Sequence, residues 1–125
     1  MLTNLICKNN KLTSLDVHLN TALVELDCHK NELTFLDITN NAALTKVDFH
    51  SNQLTSIDLS KNAALKELFC FKNELTFLDI SNNNKLTTLD CTDNPLDYIQ
   101  VNDSQNDNIP LLWVKDSTTK YSIKP

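Results

Sequence analysis

Cys7, Cys28, Cys70 and Cys91 are the thiols of this 125-residue chain, and the steps between them are 21 residues or twice that. An even count at regular spacing raises the prospect of disulfides or of a zinc site. Asp16, Asp37, Asp58 and Asp79 keep the same interval, and Asp27, Asp48 and Asp90 keep it with one gap. Clustered carboxylates are what calcium seeks. His29 and His50 follow Cys28 and Phe49 and stand beside Asp27 and Asp48, a pairing of imidazole and carboxylate that suits a transition metal.

What these groups can do depends on the elements that place them. A shift of 21 aligns Leu2, Leu23, Leu44, Leu65 and Leu86, and three residues on Leu5, Leu26, Val47, Leu68 and Leu89. Cys7, Cys28, Phe49, Cys70 and Cys91 follow, then Asn10, Asn31, Asn52, Asn73 and Asn94. The second half of each unit repeats the phrase, with Leu15, Leu36, Ile57, Leu78 and Ile99 ahead of Val17, Ile38, Leu59, Ile80 and Val101. Its asparagines are Asn20, Asn41, Asn62 and Asn83, and Ser104 breaks the series. Repeats of this length signal a stacked solenoid. Within "ELDC" and "FLDI" the apolar residues alternate with polar ones, the pattern of a half-buried strand. Each unit therefore supplies two short strands. Five coils stack them into two narrow parallel sheets back to back, with no long helix: a β-rich solenoid.

That geometry limits the chemistry. Parallel strands in register hold equivalent side chains about 4.8 Å apart, pointing the same way. A disulfide needs its Cβ atoms near 3.8 Å and facing each other. The column is therefore expected to hold free, buried thiols, and Phe49 within it marks the slot as apolar. A straight row makes no zinc tetrahedron and offers calcium too few oxygens, so no metal and no cofactor are expected. Inward asparagines are expected to bond up and down the stack at the corners. The chain contains no glycine, so asparagine is also expected to take the left-handed corner positions.

The ends differ. Residues 1–104 read as the repeat array with no evident N-terminal cap, and residues 105–125 read as a C-terminal cap in which "IPLLWV" provides an apolar lid centred on Trp113. A bare first coil exposes strand edges, which predicts an upstream segment or end-to-end self-association. Met1 leads directly into repeat sequence, so no signal peptide is expected within this stretch, which reads as a piece of a longer chain or one whose leader was removed.

The pattern L-x-x-L-x-C-x-x-N-x-L resembles the leucine-rich repeat, and in particular the bacterial class whose 21-residue unit nests two similar halves, the IRREKO type. The segment "NPLDYIQVND…W…KDSTTKYS" is similar to the end segments of secreted Bacteroidetes-type repeat proteins. The resemblance covers residues 2–104 and implies a leucine-rich-repeat solenoid from a secreted or surface-displayed bacterial protein, meeting protein partners as internalin-like repeats do.

The residues themselves point the same way. Net charge is −5, all 11 basic residues are lysines, and aromatics make up 6%. Without a basic stripe or an arginine, nucleic acid is not an expected partner. No apolar run reaches the roughly 18 residues of a membrane span. Neither a glycine-rich phosphate loop nor a paired nucleophile and base is present, so the chain does not read as an enzyme. What remains is the outward positions. On the first wall Phe69 interrupts the aspartate column and Phe71 adjoins it; with His50, His29 and Asp48 they are the expected protein-binding residues, because aromatic side chains dominate interface hot spots. On the second wall Phe35, Phe77 and Tyr98 share a column that could stack against a sugar chain, the alternative reading. A third is that the chain is a spacer or cap region of a longer surface protein.

Overall fold

The computed structural model describes residues 1–124, so Pro125, the last residue of the expected cap, lies outside it. Six three-residue strands form one parallel sheet: β1 (Asn4–Ile6), β2 (Glu25–Asp27), β3 (Lys46–Asp48), β4 (Glu67–Phe69), β6 (Thr88–Asp90) and β8 (Leu112–Val114). A second parallel sheet contains β5 (Leu78–Asp79), β7 (Tyr98–Val101) and β9 (Lys120–Ile123). The one helix among the described residues, α1, is the short turn Asp103–Asp107. The two sheets are the walls of a solenoid with a coil spacing of 21 residues, as the repeat predicts.

Register follows the sequence alignment. Leu5 pairs with Leu26, then Val47, Leu68 and Leu89 in turn, all at the inward position of the first wall. The ladder runs on beyond the strands: Cys28 N–H donates to Asp48 O at 2.9 Å, and Lys30 N–H to His50 O at 3.0 Å. Between the walls the leucine, isoleucine, valine and cysteine columns form one continuous buried core with Phe49 at its middle. In the first coil Leu5, Cys7, Leu12 and Leu15 are only half-buried, while Val17 is buried.

Three expectations need correction. The second wall is not a regular ladder in every coil: only the fourth and fifth coils and the segment after them contribute strands to it. In the first three coils Leu15, Leu36 and Ile57 still face inward, but core packing and side-chain bonds to the backbone replace the ladder. The left-handed corner is not reserved for asparagine. Asn9, Lys30, Ser51, Lys72 and Asp93 have φ of 55° to 58°, and the asparagine comes one residue later. The turn costs a non-glycine residue about 1–2 kcal/mol. It is held because the same residue's N–H reaches the next coil, as Ser51 N–H does to Phe71 O at 3.0 Å.

The third correction concerns the lid. Residues after 104 do not merely cover the stack; they continue it for a sixth turn. Trp113 sits beside Leu89 in register and Tyr121 beside Ile99, so each wall gains a strand. Trp113 is 7% exposed, its ring lies 6.0 Å from that of Tyr121, and its Nε1–H donates to Leu86 O at 3.2 Å. Where Ser104 ends the asparagine series, Gln105 takes over one residue later. Its Nε2 donates to Ile80 O at 2.7 Å and Asn83 O at 3.2 Å, the partners an asparagine would have bonded. Asn102 and Gln105 close a capping box that fixes α1 in place.

Candidate functional site

The outer face of the six-stranded sheet carries the predicted residues. The third outward position of successive coils is Lys8, His29, His50, Phe71 and Thr92. The spacing of parallel strands is close to that of stacked rings, and three of these side chains use it. His29 and His50 lie 4.3 Å apart between centroids at 14°, and His50 and Phe71 4.1 Å apart at 11°. Sequence reading places His29 and His50 as neighbours and Phe71 next to Phe69. It misses the continuous three-ring stack, although the shared third position is its signal.

Aspartates fix the imidazoles. Asp27 Oδ1 accepts from His29 Nδ1 at 2.5 Å and from its backbone N–H at 3.3 Å. Asp48 Oδ1 does the same for His50, at 2.5 and 3.1 Å. Asp48 also reaches sideways, with Oδ2 3.6 Å from His29 Nδ1. These four side chains are 14% to 18% exposed, so their contacts sit in partial shelter from solvent. Both phenylalanines, expected to be exposed, are half-buried. Phe71 rests its face on His50, and Phe69 is paired between Asp48 and Asp90 in register.

The second wall shows the reverse. Phe35, Phe77 and Tyr98 are 67%, 41% and 42% exposed, yet they form no stacked column. Phe77 meets Tyr98 edge to face, 6.1 Å apart at 82°, and Ser56 separates Phe77 from Phe35. Asp37 and Asp58 alongside are held below the usual carboxylate range by the hydroxyl and backbone N–H of Thr39 and Ser60.

The thiols are free, as expected. Burial pushes Cys28 and Cys91 up to about 12, and it raises the fully buried Cys70 well above the ordinary thiol range too. At neutral pH they are protonated core residues, not nucleophiles.

No family model and no curated protein matches the chain. Solved structures do. An internalin (inlF) from Listeria monocytogenes is 22% identical over 93% of this chain and 34% of its own, with a TM-score of 0.73. A leucine-rich-repeat protein from Leptospira interrogans is 24% identical over 90% of this chain and 30% of its own, with a TM-score of 0.71. The functional domain of InlJ from Listeria monocytogenes, described as including a cysteine ladder, is 29% identical over 81% of this chain and 34% of its own, but its TM-score of 0.40 bears no structural weight. The chain spans about a third of the length of each. What it shares with the first two is the fold, the leucine-rich-repeat solenoid.

Proposed function

We propose that the chain is a non-enzymatic recognition or adhesion module that binds a partner protein through the outer face of its six-stranded sheet, at His29, Asp48, His50, Phe69 and Phe71. The observation that supports this most is the three-ring stack. It presents a rigid, partly desolvated aromatic ridge beside Asp27, Asp48 and Asp90, and interface hot spots favour such preordered aromatic surface. Glu25 and Lys46 at the strand starts are 3.9 Å apart and largely cancel, so the acidic edge lies with the ridge and favours a partner with basic residues. Likeness to bacterial internalins supports a bacterial protein-interaction role, and with it a secreted or surface-displayed location.

The test is affinity capture from host and bacterial surface fractions, comparing wild type with Phe71→Asp and Phe69→Asp. Loss of the captured partner on these changes, with retention on Phe77→Asp, supports the reading; capture that Phe71→Asp leaves unchanged overturns the site. The exposure of Phe35, Phe77 and Tyr98 favours a second reading, a carbohydrate or cell-wall module on the opposite wall. Glycan-array binding lost on Phe77→Ala would favour it over the first.

A further inference from the structure

We propose that His29, Asp48 and His50 form a binding site for a divalent cation of the zinc class. This rests on side-chain geometry alone and holds whether or not the same sheet face binds a protein.

One ligand atom from each of the three residues lies within 4.8 Å of the other two. Tetrahedral zinc with bonds of about 2.0–2.2 Å holds its ligand atoms about 3.4 Å apart, so the metal would open the close Asp48–His50 contact and draw the wider pairs in. Asp48 is already in the middle, with Oδ1 2.5 Å from His50 Nδ1 and Oδ2 3.6 Å from His29 Nδ1. The stacked rings are parallel, and rotation about the soft Cβ–Cγ torsion converges their Nδ1 atoms. Asp27, 2.5 Å from His29 Nδ1, stands ready as a fourth ligand once the metal takes that nitrogen. Two imidazoles and a carboxylate form a ligand set that zinc accepts. The row of aspartates considered alone is unsuitable, but the stack adds nitrogen donors from the adjacent coil.

Binding changes the proton pattern in a readable way. In the free protein each Nδ1 faces a carboxylate oxygen, so it is Nδ1 that carries a hydrogen. Zinc at Nδ1 requires that nitrogen's lone pair, and the neutral ring then carries its proton on Nε2. His18 provides an internal control: it contacts Asp16 at 2.5 Å in the same Asp-x-His arrangement, but no second imidazole stacks on it.

Zinc chloride titrated into the reduced, chelator-treated chain should give one calorimetric site. His50→Asn and Asp48→Asn should weaken it by about tenfold or more, and His18→Asn should leave it unchanged. In the unaltered protein, imidazole nitrogen NMR should show His29 and His50 changing from the Nδ1–H to the Nε2–H tautomer on zinc addition, with His18 unaffected. Equal zinc binding by wild type and His50→Asn, or equal weakening by His18→Asn, would overturn the site. So would rings that keep Nδ1–H with zinc bound, since the metal would then lie outside Asp48's reach.

Discussion

Asn52 and Asn62 end the two halves of one coil, and their amides are used differently. Asn52 Oδ1 accepts from Leu33 N–H at 2.9 Å, while its Nδ2 donates to Phe49 O at 3.0 Å and Cys28 O at 3.1 Å. Asn62 Nδ2 donates to Ile38 O at 3.0 Å and Asn41 O at 3.1 Å, but its Oδ1 has no protein partner, and the same holds for Asn41 and Asn83. The first corner turns through a left-handed residue, Ser51 with φ of 58°, and the second does not. A repeated phrase thus produces one corner satisfied on both sides and one satisfied on a single side. The wall beside the first is a ladder from end to end; the wall beside the second becomes one only in the later coils.

The thiols belong to the first wall alone, which gives the largest expected contrast. Burial raises Cys28 and Cys91 from 9.0 to about 12, a displacement worth about 4 kcal/mol for each thiol. The fold favours the protonated form. Its contribution is therefore complete below the unfolded chain's thiol range near 9 and is lost as pH rises toward 12. Urea midpoints should fall steadily above pH 9, and Cys28→Val with Cys91→Val should flatten that slope. A slope untouched by the replacements would remove the thiols as its cause.

The asparagines give the next contrast. Asn52→Ala leaves the buried Leu33 N–H without a partner, while Cys28 O and Phe49 O keep the amides of Asn31 and Asn73, and should cost about 2–3 kcal/mol in urea unfolding. Asn62→Ala strands nothing, since Ile38 O and Asn41 O keep the backbone N–H of Asn41 and Leu44, and it also deletes an unpaired oxygen, so about 1 kcal/mol or less is expected. Equal costs would erase the distinction between the corners. The smallest effect differs in sign. Lys72→Gly relieves a φ of 56° and should raise thermal stability by about 1 kcal/mol. Asn40→Gly, at the second corner, should lower it by about 0.5–1 kcal/mol.

The inward columns were legible because burial is a matter of residue type and interval: Leu26, Val47, Leu68 and Leu89 share a rung as the alignment requires. The corners were not, because their left-handed residues are chosen by hydrogen bonds between coils rather than by intrinsic preference. Lysine occupies two of them, at 30 and 72. Gln105 was invisible for a related reason. An extra methylene makes up for its position one residue late, and an alignment by residue type cannot register reach. Among the candidate residues, His29, Asp48 and His50 could be placed together from spacing alone, whereas the shielding of Phe71 depended on a ring stack that spacing does not reveal.

Each first-wall asparagine completes the coil before it: Asn31 serves Leu12, Asn52 serves Leu33, Asn73 serves Leu54 and Asn94 serves Leu75. These four first-wall corners therefore use the same hydrogen bond. Duplication or loss of one whole unit leaves no orphaned group at the join, whereas a half-unit slip would set unlike corners against each other. The corner bonding can therefore be repeated at will, while the ring stack of His29, His50 and Phe71 stays particular to its three coils.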